Sequence, residues 1–537
     1  MSIIRPRSEP LDPAETLLSA GVITTVALWL YAWTIYVLSL PTVFLAFTPA
    51  LIFAGIFFAR APLRKALRDV EARHLLLSQV LISLWCVVWL SFIVSYSGGG
   101  WSGDWFEHWE RTRFFLERGS LETRFLGIYQ LPARPPLANV ITGALLTSTE
   151  VSFASYQLCS TLLSSLAFFP AALLARRFGG ARAMAVFCVL LAVNPLFVQN
   201  ATFAWTKLPA AAGVLAALYF FLRCQDARAP QWGPGLFAAS LAVALLTHYS
   251  AGPAAVVLAG AWCVRGWNHR CDPAWWRSTL GGVWVGALIL STWFLWSMSH
   301  YSLNGTFLTN TSVTSSASNF SDQLMRILLN LRDTFVPHVL RPIDDTLIAQ
   351  PTRWGYVRDG FFQFYQLNFP FACGTIATVV LAREILRAAK IKWVLAITAV
   401  VVISIAVHGE RDTWGLTHIC LQPLVILSLA FLASRWKSLT RSWKLALATG
   451  LAFDFTAGIG LHFAAQSYAL ARWIYPHGAL NEIFNSYNQI ALGNLLTKIQ
   501  HQLAFVADRS TVSPALALAL LGAILSFMLV RARADTS

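Results

Sequence analysis

The sequence predicts an all-α polytopic membrane protein, and three observations predict it. The mean hydropathy of the 537 residues is +0.58. Only 12% of them are charged while 56% are hydrophobic, with 36 Phe and 22 Trp among the latter. Apolar runs of spanning length recur from near the first residues to near the last. A soluble chain of this length would divide into several domains. Here a single transmembrane domain, 1–537, is expected, because in lipid each helix must satisfy its own backbone groups.

The runs can be taken in order. The first two, 17–38 and 42–58, are followed by the basic segment ARAPLRKALRDVEARH. The positive-inside bias makes that segment cytoplasmic and places the N-terminus on the same side. The run 75–96 then exits and delivers a polar loop, 98–150, to the far side. Runs 152–175, 184–198 and 208–222 alternate back and forth, turning at Arg176-Arg177 and returning to Arg223. Runs 236–249 and 253–264 form a hairpin with His248, Tyr249 and Pro253 at its outer tip. Run 280–298 opens a second outer loop, 300–366. Runs 369–382, 393–407, 416–432 and 445–465 follow, then a third outer loop, 467–510, and a last run, 515–530. The total is about 14 spans, with both termini cytoplasmic.

The net charge of +15 has its plain explanation in that bias, and nothing here interleaves basic and aromatic residues on a soluble domain, so nucleic acid is excluded. Eight cysteines without a CxxC pair, none in the outer loops, argue against a disulfide framework or a thiolate metal site. The polar, acidic N-terminus leads into a long apolar run with no small-residue cleavage site, which reads as a retained helix.

Chemistry concentrates in GGGWSGDWFEHWERTRFFLERGSLETRFLGIYQLPARPPL, residues 98–137. A helix starting near Ser102–Asp104 would be capped by either residue. Spacing then sets Asp104, Glu107, His108 and Arg111 along one stripe. Trp105, Trp109, Phe114, Phe115 and Leu116 would float this helix at the membrane interface. An ordinary amphipathic helix with its charges in water is the bland reading of the same pattern. The sequel weighs against it. Pro135 and Pro136 fix the backbone after Arg134 and aim its guanidinium at one point, the way a phosphate is held. A short apolar helix, 138–146, follows.

An acid opening an interfacial helix, His at i+4 and then Arg-Pro-Pro-Leu resemble the GT-C superfamily of membrane glycosyltransferases. The likeness is strongest to the aminoarabinose transferase and protein O-mannosyltransferase branch. It is carried by Asp104-Trp-Phe-Glu107-His108, Glu117-Arg-Gly119-Ser120-Leu121 and Arg134-Pro-Pro-Leu137. Later echoes are TFAWTKLPA with Lys207, LLTHYSAGP with His248 and Tyr249, and GERDTWGLTHICLQPL with Arg411 and His418. The chain departs from the family where Trp105 follows Asp104 in place of Glu, where Arg134 replaces Lys, and where His248-Tyr249 stand near the Lys of Lys-Gly-Pro.

The resemblance implies a GT-C-like fold and transfer of a sugar from a polyprenyl-phosphate-linked donor to a hydroxyl on the non-cytoplasmic face. The acceptor would be a lipid, a glycan or a protein, and the setting a bacterial inner (plasma) membrane. Asp104 is the expected general base, with Glu107 and His108 beside it. Arg134, Lys207, His248, Tyr249, Arg411 and His418 are the expected substrate-binding residues, with cations meeting the phosphate. The alternative is a polytopic transporter or flippase for lipid-linked saccharides, which should keep its charges near the midplane. Asp454 is the one acid deep in a run, where pairing across helices is the expected role. Histidines scattered over the outer side would admit a divalent metal, yet no HxxxH pair assigns one, so no metal ligand and no certain cofactor are expected.

Overall fold

The computed structural model describes residues 12–91, 104–127, 129–149, 151–226, 232–307, 320–335, 372–387, 391–407 and 420–464. They form a helical bundle of α1 (Pro13–Val37), α2 (Thr48–Phe58), α3 (Arg60–Arg68), α4 (Val70–Ser91), α5 (Asp104–Glu117) and α6 (Leu137–Leu146). Next come α7 (Phe153–Ser165), α8 (Phe168–Ala192), α9 (Pro195–Thr202), α10 (Lys207–Arg223), α11 (Gly233–Thr247) and α12 (Gly252–Asn268). Then follow α13 (Pro273–Phe307), α14 (Phe320–Phe335), α15 (Ala372–Arg387), α16 (Ile391–Val407), α17 (Gln422–Arg435) and α18 (Arg441–Ala464). Among the described residues, four helices are long and apolar enough to cross a membrane, or up to six if each bent pair is one span. The expected run 515–530 and the third loop, 467–510, lie outside the described residues, as does most of 300–366.

Two expected spans are cut differently from the hydropathy pattern. The run 152–175 is split between α7 and the first half of α8. The run 184–198 ends early, because Asn194 and Pro195 start a new helix. Asn194 Oδ1 accepts from the Phe197 amide at 2.9 Å, and proline at the first position needs no donor. Within α8 the chain reverses at Gly180, whose φ of +76° suits glycine. The reversal is visible in Phe168 and Phe187, whose rings stack at 5.9 Å although 19 residues apart in sequence. The expected turn after Arg176-Arg177 is therefore present.

The bundle has two chemically distinct ends. At one, Asp12 and Glu71 hold Arg176, and Arg177 pairs with Asp226 at 2.6 Å. Arg223 meets Glu15 at 2.7 Å and Asp226 at 3.1 Å, and the Tyr219 hydroxyl donates to Glu15 at 2.9 Å. These are the groups that the charge bias assigns to one side of the membrane. At the other end Arg118 donates to the carbonyls of Ile35 and Tyr36 and so caps the C-terminus of α1. Between the ends the helices approach closely through small residues. A Cβ on Gly213 would lie 2.8 Å from that of Ala244, and one on Gly179 would lie 2.7 Å from Ser434 Cα.

Candidate active site

Helix α5 begins at Asp104, as the sequence suggests, but it does not float on a lipid surface. Trp109, Phe114 and Phe115 are all buried. Trp109 packs on Tyr156 at 5.5 Å, Phe115 on Tyr36 at 5.0 Å and Phe114 on Phe125 at 5.6 Å. These rings are bound to protein on both sides of the helix. Its polar stripe is consequently buried too, and needs partners.

Glu107, 1% exposed, is the centre of that stripe. Arg111 Nη2 lies 2.7 Å from its Oε1, and Arg134 Nε lies 3.7 Å from its Oε2. Arg111 also donates to the Leu131 and Gln130 carbonyls at 2.9 and 3.3 Å and sits 4.2 Å over the Phe125 ring. It thus nails the 124–134 loop onto α5. That loop turns through Gly127, at φ +72°, closes with the Phe125–Tyr129 bridge and ends in a 3₁₀ turn, Leu131–Ala133. Arg134 follows in extended conformation, as a residue before proline prefers, with its guanidinium 4.9 Å over Tyr129.

His108 is held on three sides. Its Nδ1 is 3.3 Å from Asn139 Oδ1 on α6, and its Nε2 is 3.5 Å from Thr206 Oγ1. Its carbonyl accepts from Asn139 Nδ2 at 2.7 Å and from Thr112 Oγ1 at 2.8 Å. Thr206 precedes Lys207, the first residue of α10, in a chain that bends by 120° between α9 and α10. Lys207 lies 3.5 Å above the Trp205 ring. From the tip between α11 and α12, the Tyr249 hydroxyl donates to the Pro132 carbonyl at 3.1 Å. His248 Nδ1 accepts from the Ser250 amide at 3.0 Å.

Of the expected site residues, the structure gathers Glu107, His108, Arg134, Lys207, His248 and Tyr249 at one end of the bundle. The backbone of Asp104 lies one helical turn before His108, while Arg411 and His418 lie outside the described residues. Cys420, just after them, is close enough to Lys207 to feel its charge. Arg111 stands on the expected stripe, though no role was assigned to it; Asn139 and Thr206 were not expected in the site. Asn139 did carry a signal, as the strongest hydrogen-bonding side chain in the otherwise apolar LANVITGALL. Among the described residues, no three His, Cys, Asp or Glu side chains form a metal-holding group.

The electrostatics follow from burial in a cationic surrounding. Burial alone would raise Glu107, but Arg134, Arg111 and His108 outweigh it and lower the carboxyl from 4.5 to about 2. Burial lowers His108 from 6.5 to about 4; Arg111 and Arg134 add to this and Glu107 opposes it. His248 is pushed well below its usual value by burial and then by Arg134 and Lys207.

Both Glu107 and His108 bind fewer protons folded than unfolded over these ranges. Their stability contribution is complete above about 6.5 and is lost for His108 as pH falls towards 4, and for Glu107 from 4.5 towards 2. The thermal midpoint of the purified protein is expected to fall monotonically on acidification from neutral pH, and less so in His108→Gln below pH 6.5. A midpoint that rises on acidification would contradict this assignment.

Residues 76–321, a little under half of the chain, match the model of a family described as dolichyl-phosphate-mannose-protein mannosyltransferase. Two crystal structures of ArnT from Cupriavidus metallidurans, one bound to undecaprenyl phosphate and one apo, are similar at 19% identity. Each similarity covers 84% of this chain and 75% of that one, with TM-scores of 0.47 and 0.44. No curated protein sequence matches the chain. The family match takes in every gathered residue from Glu107 to Tyr249.

Proposed function

We propose that this end of the bundle transfers a sugar from a polyprenyl-phosphate donor to a hydroxyl acceptor on the non-cytoplasmic side of a bacterial inner membrane, with both termini cytoplasmic. The observation that carries the reading is the charge balance of the buried site. Arg111, Arg134 and Lys207 outnumber Glu107 and its neighbour Glu110 there, and burial disfavours charging of both histidines. Such an excess of fixed cations suits a phosphate leaving group whose charge grows during reaction. The family described by the matching model uses a lipid-phosphate sugar, which supports the same donor class.

In this reaction the acceptor oxygen attacks the anomeric carbon as its proton passes to Asp104. The bond from that carbon to the phosphate oxygen breaks, and its electron pair leaves with the polyprenyl phosphate. Glu107 serves as the anchor that holds Arg111 and Arg134, since a carboxyl held near 2 is a poor proton acceptor. Lys207, His248 and Tyr249 are assigned to donor binding, and the sequence resemblance assigns Arg411 and His418 the same role.

The reading is tested with the full chain in lipid nanodiscs and a radiolabelled polyprenyl-phosphate mannose or aminoarabinose. Release of polyprenyl phosphate with label transferred to an envelope extract is the expected result. Arg134→Ala should raise the KM for donor by about tenfold or more, the loss of a charge-assisted contact. Movement of the intact lipid-linked sugar across vesicles, with no cleavage, would replace this reading by the flippase one.

A further inference from the structure

Asn139 has no role in the chemistry above, yet its geometry fixes a property of His108. The orientation of its amide is determined by its surroundings. Nδ2 lies 2.7 Å from the His108 carbonyl, which can only accept, so that nitrogen is the donating end. Oδ1 therefore faces His108 Nδ1 at 3.3 Å, and an amide oxygen cannot donate. Nδ1 must carry the ring proton. The groups that bear on the ring electrostatically are Glu107 and Arg111 from its own helix, Arg134 from the following loop and His248 from the α11–α12 tip. Lys207 is on the next residue after Thr206.

A neutral ring protonated on Nδ1 has its lone pair on Nε2. Thr206 Oγ1 faces that lone pair at 3.5 Å, the far edge of hydrogen-bond distance. Thr206 occupies the N-cap position of α10 without a side-chain capping hydrogen bond, and it is bonded directly to Lys207. A link from α6 through His108 to the turn bearing Lys207 is thus complete.

We propose that Asn139 is a positioning residue that fixes His108 as the neutral Nδ1–H tautomer, leaving Nε2 to accept the Thr206 hydroxyl and set the turn that carries Lys207. This rests on reading the same end of the bundle as the transfer site. The device acts on donor binding through Lys207, and Asn139 itself touches no reacting atom.

The test uses the full chain labelled with ¹⁵N-histidine in nanodiscs, with the His108 signal assigned by its loss in His108→Gln. The parent should show a protonated Nδ1 and a bare Nε2 at neutral pH. Asn139→Leu should shift the proton to Nε2 or give a mixture. Asn139→Asp should retain the Nδ1 proton and move protonation of the ring to higher pH. In transfer assays Asn139→Leu should raise the donor KM by about three- to tenfold, the worth of one hydrogen bond, with kcat little changed. Thr206→Val should do the same, the pair together no more than either alone, and Asn139→Asp should recover most of the loss.

A parent ring protonated on Nε2, or additive effects of Asn139→Leu and Thr206→Val, would overturn the proposal. If Asn139→Leu does not fold, the parent spectrum and Thr206→Val still decide. A parent that transfers no sugar removes the function proposed above and leaves the spectroscopic result intact. An active parent with the wrong tautomer does the reverse.

Discussion

Glu107→Leu is expected to destabilise the site end of the bundle by about 3–5 kcal/mol, the cost of leaving a buried charge without its partner. Arg111 is itself 1% exposed and keeps two backbone carbonyls, the Phe125 ring and the more distant charge of Glu110 once the carboxylate is gone. The 124–134 loop, held through Arg111, should loosen with it. A lower thermal midpoint and new proteolysis within 118–134 are the expected readouts. The double variant Glu107→Leu/Arg111→Met should regain much of the loss, because replacing a whole buried pair by apolar groups is often neutral. If Glu107→Leu melts with the parent, the carboxylate is not the anchor described here.

That inward-facing pair marks the boundary of what the sequence makes legible. The start of α5 at Asp104, the Arg134-Pro-Pro brake and the turn at His248-Tyr249 between two helices all follow from spacing and backbone chemistry. The direction in which α5 buries its aromatic rings does not. Trp109 and Phe115 satisfy an apolar neighbour equally well in lipid or in protein, and periodicity cannot tell the two apart. The i,i+4 pair of Arg111 with Glu107 follows from spacing, but the hold of Arg111 on the loop is hidden for a related reason: there its partners are carbonyls of an irregular segment, which no side-chain pattern announces. The break before α9 is different. Asn194-Pro195 is a helix start in plain sequence terms, but the apolar run 184–198 passes straight across it and hydropathy averages it away.

Asp104→Asn is expected to lower the transfer rate by about 10²–10⁴-fold, the usual worth of a positioned general base. Donor KM and the thermal midpoint should stay near the parent's. The physical case for Asp104 over Glu107 is one of basicity as well as place. Glu107 is locked between two guanidiniums and lowered to about 2, so it gains little by taking a proton and is shielded from any acceptor. Asp104 is the first residue of α5, one turn ahead of His108, where the chain leaves the membrane in the sequence-derived topology. A base there meets an acceptor arriving from the aqueous side while the cations behind it hold the phosphate. Glu107→Gln provides the contrast: it should lose stability first and activity only as a consequence, so that activity per folded molecule falls far less than in Asp104→Asn. Parental turnover in Asp104→Asn would remove the base from α5's first residue. An equal per-molecule loss in Glu107→Gln would show instead that the whole acidic stripe acts as one unit.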